Sequence, residues 1–555
     1  MSVSYAPAWR RDTQTQGSTV GLDRQPVTDR LNTLETADDV PALRLSNDGE
    51  FTLLDIVSVS RHGRQVQLGP NARSGMAGSA KAVASATASP HAVYGVNTGV
   101  GQLASTRLAA ANGEREQRRQ RALIESHAAG LGDAIERDVV RAMILLRART
   151  LARSRSGARP EVVDLMIRLL NADITPFVPE YGSLGASGDL APLAHCALTL
   201  LGEGDVLGPH GEIQAAGPTL SAAGIAPIHL RSKEALSLIN GTDGMLAMLA
   251  LAVHDIKQLV KVSDITAAMS IEALLGHPDA FSADLIALRP QQGQADSAAN
   301  LLRMLLDSHI LREANRPTDQ LVQDAYSMRC VPQVAGAVRE TLAHATRIAQ
   351  TELASTIDNP VVMPDGTIRP CGNIHGASLA YACDFLAIAI ADLGAMAERR
   401  TDRLLDASRS NGLPPFLAVD PGENSGLMIA QYTQAALVAD NRRLASPASV
   451  ESASTSAGQE DHVSMGWNAA RKLRVSLTNL ARIQGIELLA ASAGLQFRAP
   501  LQPARGTAAA LDAVRATIPA AATDRQVAPD LVAAHHLVSS GTITRAVEAA
   551  IGPLS

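Results

Sequence analysis

The segment Gly182-Ser183-Leu184-Gly185-Ala186-Ser187-Gly188-Asp189 concentrates glycines, two hydroxyls and a carboxylate where chemistry can be built. A phosphate-cradling loop needs GxxxxGK[ST], which is absent. A serine nucleophile elbow needs GxSxG, and the residue two beyond Ser187 is Asp189. Two readings remain. One is a tight turn before a helix, with Asp189 near the helix N-terminus. The other is covalent: the Gly188 amide nitrogen attacks the Ala186 carbonyl carbon with loss of water. Ser187 then loses its hydroxyl as a second water, leaving a methylidene-imidazolone ring. Gly188 has no Cβ to block the close backbone approach, Ala186 is small, and Ser187 supplies the departing hydroxyl. The product is an electrophile that ordinary side chains do not provide.

Other residues have types suited to work beside such a group. Tyr94, in Tyr94-Gly95-Val96-Asn97-Thr98-Gly99, is a base at neutral pH only if nearby dipoles or cations stabilise its phenolate, since a free phenol titrates near about 10. In Gln323-Asp324-Ala325-Tyr326-Ser327-Met328-Arg329-Cys330 the spacing puts Tyr326 and Arg329 on one helix face. The arginine is a planar, bidentate donor suited to a carboxylate. Asn240-Gly241-Thr242 reads alone as a turn. The acidic Glu460 and Asp461, before Met465, read alone as the start of the next helix. His535-His536 and the other histidines lack metal-ligand spacing, so no metal is expected.

The elements that must hold these residues are mostly helical. Hydrophobic residues make up 46%, charged residues 19% and aromatics 3% of 555 residues, a composition for closely packed helices. Helical periodicity is expected in Glu114–Gly130 and Asp138–Ala152. It extends over longer stretches at Lys233–Val262, Val334–Thr356, Ala377–Leu405, Leu427–Leu444 and Met465–Ala493. Phe51–Val66 reads as a short helix ending at a glycine, and Asn171–Pro192 as turn-rich. Residues 1–42, broken by Pro7, Gly17, Gly21, Pro26 and Pro41, read as a flexible extension, and residues 43–555 as the folded domain. Net charge is −6, and no basic run is long enough to coat phosphates, so nucleic acid is not an expected partner. The most apolar stretch, Met245–Val253, is short of the roughly 20 residues that span a bilayer, so no membrane is expected. Four spaced cysteines read as buried thiols in a reducing compartment. Met1 to Arg11 shows no secretory pattern, making cytoplasmic the default.

Together Gly182–Pro192, Tyr94–Gly99, Asn240–Thr242, Gln323–Cys330 and Gln459–Met465 resemble the aromatic amino acid ammonia-lyase family, in the family's order, from about residue 50 to the end. The resemblance implies a mainly α, fumarase/aspartase-like fold. In it an elongated helical bundle follows a smaller N-terminal region, to about residue 230, that carries the cofactor-side loops. It implies a methylidene-imidazolone formed from Ala186, Ser187 and Gly188, with no metal or diffusible cofactor. It implies Tyr94 as base, Asn240 and Tyr326 at the electrophile, Gln323 and Arg329 at the substrate (the arginine on its carboxylate), and Glu460 in the proton-transfer network. Ser126-His127 matches a selectivity pair that is Ser-His in histidine-specific members, His-Leu in tyrosine-specific and Phe-Leu in phenylalanine-specific ones. An imidazole beside an apolar pair would lose about 1 to 3 kcal/mol in an unsatisfied nitrogen. Two positions depart from the histidine pattern: Ile374 stands where phenylalanine is usual, and Asp243 where glutamine is common. The implied reaction converts L-histidine to trans-urocanate and ammonia, in a homotetramer with shared active sites. A tyrosine or phenylalanine lyase, or a 2,3-aminomutase, is the nearest alternative. A catalytically silent helical scaffold is the alternative of another class.

Overall fold

A computed structural model describes residues 40–109, 113–209, 211–313 and 323–555. The chain divides into two units, Met1–Val40 and Pro41–Ser555, and the fold lies in the second. The expected extension, residues 1–42, falls almost wholly outside the described residues.

The core of the Pro41–Ser555 unit is a bundle of long helices. Asp243–Ala273, Ala377–Leu405 and Gly466–Gln496 run in the same direction, because their first turns all meet the Ser183–Asp189 loop while their far ends share partners near Ala273. Val331–Ala354 runs the other way: Glu352 near its end accepts a hydrogen bond from Thr242 at 2.6 Å. Met428–Leu444 is also antiparallel to Gly466–Gln496, with Asn441 bonded to the Ser476 carbonyl and Gln434 to that of Ile483. Asp243–Ala273 is buried along most of its length. Its first turns, residues 243–253, are buried on every side, as a central helix surrounded by others must be. Alanines on it and on its neighbours allow the close approach.

Around one end of the bundle, shorter helices and strands form the smaller region. Arg137–Ala152 packs against the first half of the central helix, and Arg61 bridges Asp138 and Asp255 at 2.8 and 2.5 Å. Two short strands, Leu131–Ala134 and Pro179–Tyr181, pair antiparallel and bring the chain on either side of Gly130 and Gly182 together.

Two sequence expectations need correction. The stretch read as one helix from Lys233 to Val262 is two, Glu234–Ile239 and Asp243–Ala273, broken at Asn240-Gly241-Thr242. Length and apolarity alone would also let two segments cross a membrane, Glu234–Ala273 and Ala377–Leu405. The apolar window of the first is entirely buried and that of the second is 56% buried. Cys196 and Cys383 are buried, whereas Cys330 and Cys371 are only partly so, and all four are free thiols.

Candidate active site

Four helices begin at the Ser183–Asp189 loop. Leu190–Leu200 follows directly from Asp189. The Asp189 carboxylate does not cap its own helix. It accepts from the Gly244 and Met245 N–H groups of the central helix at 2.8 and 3.0 Å, and from the Ser183 hydroxyl at 2.9 Å. The Gly185 carbonyl accepts from Gly376 N–H, at the start of Ala377–Leu405, and from Ser464, just before Gly466–Gln496. Helix N-termini carry partial positive charge and unsatisfied N–H groups, so this loop sits in a field that favours negative charge.

The loop is closely cradled. Gly188 lies at φ +72°, and a Cβ there would stand 2.1 Å from the Gly241 carbonyl oxygen. That same oxygen accepts from Asp189 N–H at 2.7 Å. The Ser187 hydroxyl donates to Glu460 Oε1 at 3.0 Å, and the other Glu460 oxygen accepts from Thr455 at 3.0 Å. Glu460 lies in a loop rather than at a helix start, held by backbone bonds with Thr455 in both directions.

Tyr94 reaches the same place on its own loop. Asn97 closes that loop by accepting from Val93 N–H and donating to the Ser89 and His91 carbonyls. Gly95, at φ +65°, packs where a Cβ would lie 2.5 Å from Leu236 in the helix leading to Asn240. Gln102 N–H donates to Ser456 in the Glu460 loop at 3.3 Å. Burial pushes the Tyr94 phenol above its ordinary value, the hydrogen bond from Gly101 pulls the other way, and the Glu460 charge adds to the rise. Among the described residues no cation lowers it.

Asn240 donates through Nδ2 to the Asn359 carbonyl at 2.6 Å, which leaves its Oδ1 buried without a hydrogen-bond partner. Ile374 is half-buried, two residues before the Gly376 that bonds Gly185. Ser126 and His127 end the Gly113–His127 helix, close to Gly130, whose Cα lies 3.1 Å from where a Gly182 Cβ would stand. His127 Nδ1 is 2.8 Å from the Leu123 carbonyl, which can only accept, so Nδ1 carries the proton and Nε2 is left as an acceptor.

Gln323, Tyr326 and Arg329 are elsewhere. Asp324 of their segment holds His277, beyond the far end of the central helix, and the Ser327 carbonyl accepts from Arg400 near the end of Ala377–Leu405. The central helix has 31 residues, so its ends are about 45 Å apart. Along the antiparallel helix, Arg329 and Glu352 are separated by about 35 Å. Tyr326 and Arg329 do share a face, the guanidinium standing 4.5 Å from the ring centroid, and Tyr326 is 69% exposed. The candidate residues of one chain thus fall into two groups at opposite ends of its bundle, the first around Ser187 and the second around Arg329.

Several residues around the Ser187 loop carry no mark in the sequence: Asn359, Thr455, the buried pair Lys233–Asp358, and Arg147, which pairs with Asp243. A lysine reads as surface by default, and Lys233 has 0% exposure. Among the described residues no group of three or more potential ligands could hold a metal ion.

Residues 51–516 match the model of the aromatic amino acid lyase family. The chain belongs to that family. It is a carbon–nitrogen lyase of the fumarase/aspartase-like helical fold. It is 53% identical to the histidine ammonia-lyase of Streptomyces coelicolor over 508 residues, 91% of this chain and 98% of that one. Among solved structures, the tyrosine aminomutase of Streptomyces globisporus superposes on this lyase with a TM-score of 0.87 at 34% identity, covering 93% of this chain and all of that one. The histidine ammonia-lyase of Trypanosoma cruzi gives 0.83 at 34% identity, covering 92% and 96%.

Proposed function

We propose that the lyase eliminates ammonia from L-histidine to give trans-urocanate, using a methylidene-imidazolone formed from Ala186, Ser187 and Gly188. The observation that carries this reading is the Ser187 hydroxyl on Glu460, in a loop at the start of four helices. The residues fit the ring: Gly188 has the positive φ and the absent Cβ that close backbone approach needs, and Gly241 presses against it. The ring supplies an electrophilic carbon that activates the substrate for loss of its amine.

The chain's own residues do the rest. Tyr94 takes the β-proton as the C–N bond breaks, the C=C bond forms and ammonia leaves. Helix N-termini and the Asn240 amide stabilise charge at the loop. Asn240 Oδ1 accepts from the substrate amine, and Glu460 holds that amine and relays its proton. His127 Nε2 accepts from the substrate imidazole, beside Ser126, while Ile374 walls the pocket.

Arg329 fixes the carboxylate, with Gln323 and Tyr326 beside it. Because Arg329 stands about 35 Å along its helix from Glu352, which bonds Thr242 beside the Ser187 loop, these three are assigned to the site of a neighbouring copy. The assembly proposed for it is the homotetramer with shared sites that the family resemblance implies. An approaching Arg329 also supplies a cation beside Tyr94, where the described residues of one chain place none.

The test is urocanate absorbance on adding L-histidine, with Ser187→Ala as control, and mass spectrometry of the Ser187 peptide for loss of two waters. Equal activity in Ser187→Ala would end the ring assignment, and an unmodified wild-type peptide would support a silent scaffold. Ile374 supports one second reading, a lyase or aminomutase for another aromatic amino acid. Product analysis with histidine, tyrosine and phenylalanine separates the two.

A further inference from the structure

We infer that the buried Lys233–Asp358 pair is a positioning device for Asn240, setting the direction of its amide from behind the site. This rests on the lyase reading above. The Lys233 ammonium and the Asp358 carboxylate both have 0% side-chain exposure and lie 2.9 Å apart. Lys233 Nζ also donates to the Ser156 carbonyl at 2.9 Å and to Ser237 at 3.0 Å, using its three protons. Asp358 spends its other oxygen on the Asn359 N–H at 2.7 Å. Arg147, itself buried, donates to the Ile357 carbonyl at 2.8 Å and holds the segment from the other side. Asn359 Oδ1 accepts from Cys371 N–H at 2.8 Å. The end of this chain of bonds is the Asn359 carbonyl, on which Asn240 Nδ2 donates.

That last bond decides which way the amide faces. A carbonyl only accepts, so Asn240 must turn its nitrogen to Asn359 and its oxygen away, and this oxygen is the buried atom without a partner. An acceptor held in that state costs free energy until an N–H donor arrives. The pair is also a costly way to achieve stability alone. Burial pulls the Lys233 pKa down against the pull of Asp358, and Lys233 itself sits at φ +68°, in the left-handed region a non-glycine residue rarely adopts. A well-packed apolar pair would be about as stable. What an ion pair adds is a fixed direction for each atom it touches.

The experiment is a double-mutant cycle in the assembled enzyme with Asp358→Asn and Asn240→Ala, singly and together. Every variant is first checked for the two-water loss at Ser187. Asp358→Asn is expected to lower kcat by about 100-fold, the order of loss for a misplaced reacting group, with KM changed less than about threefold. Adding it to Asn240→Ala is expected to cost nothing more, and a crystal structure of Asp358→Asn is expected to show the Asn240 amide turned. Additive losses, or an unmoved amide, would overturn the proposal, as would a variant that folds yet keeps both waters. If Asp358→Asn does not fold, Lys233→Met/Asp358→Leu removes both charges together and is expected to show the same loss of kcat. Full kcat in that variant, or failure of both to fold, would assign the pair to stability and overturn the idea. A wild-type chain without the ring or elimination would instead sink the lyase reading.

Discussion

Replacing Asp189 by Asn isolates a titration that the fold imposes on the ring-forming loop. The carboxylate has 0% exposure. Burial, opposed by bonds from Met245, Ser183 and Gly244, pushes its pKa from 3.8 to about 7. Between those values the folded chain keeps a proton that the unfolded chain has released. Stability therefore falls as pH rises through this window and levels off above about pH 7. A shift of about three units corresponds to about 4 kcal/mol in full, of which about 2 to 3 kcal/mol is lost between pH 5 and pH 8. Asn preserves the geometry without the titration: its oxygen takes the Gly244 and Met245 N–H groups, and its amide donates to Ser183. Both chains are made with Ser187→Ala, so that differences in ring formation do not enter. Urea unfolding followed by circular dichroism at several pH values is expected to show the advantage of Asn growing by about 2 to 3 kcal/mol from pH 5 to pH 8. An advantage that is flat, or that shrinks as pH rises, would refute the assignment of a raised carboxyl at Asp189.

Gly241→Ala places a Cβ 2.2 Å from Arg147 and 2.3 Å from Asp243. It is expected to cost about 1 to 3 kcal/mol of stability, read as a lowered Tm, and an unchanged Tm would show that the pair can yield. With Tyr94 as base and its phenol raised by burial and by Glu460, kcat/KM is expected to rise with pH toward the alkaline side. Tyr94→Phe is expected to lose about 100-fold or more, and a profile without an alkaline rise would remove Tyr94 from that role. Chains carrying Tyr94→Phe and Arg329→Met, each inactive alone, are expected to regain about one quarter of wild-type activity when co-assembled, by random assortment over shared sites. No recovery would place Arg329 outside the site. His127→Leu is expected to lower histidine turnover relative to tyrosine by about 10- to 100-fold, the effect of an unsatisfied imidazole nitrogen, and an unchanged ratio would move selectivity elsewhere.

The helices were legible because their apolar spacing is local: Ala377–Leu405 has the limits that its periodicity predicts. The break at Asn240 was not, because Glu234–Ile239 and the first turns of the central helix, residues 243–253, are buried on every side and periodicity carries no phase information there. The proposed cyclisation at Ser187 is a reading from residue types, since that chemistry needs those types in that order. Glu460 was misplaced at a helix start because its partners, Thr455 and Ser187, are a loop bridge and a residue 273 positions away.

The same distinction explains the two groups of candidate residues. Sequence order put Tyr326 and Arg329 correctly on one face, which is a local fact, and was silent on the about 35 Å of helix that separates them from the Ser187 end of the bundle. A reaction that needs both ends cannot be completed within one chain of this fold. The long parallel helices that focus their N-termini on the ring-forming loop are what carry Arg329 away from it. If the proposed carboxylate clamp at Arg329 serves the pole where the positive helix ends gather, assembly is a requirement for catalysis, and the mixed Tyr94→Phe and Arg329→Met assembly is the direct measure of that requirement.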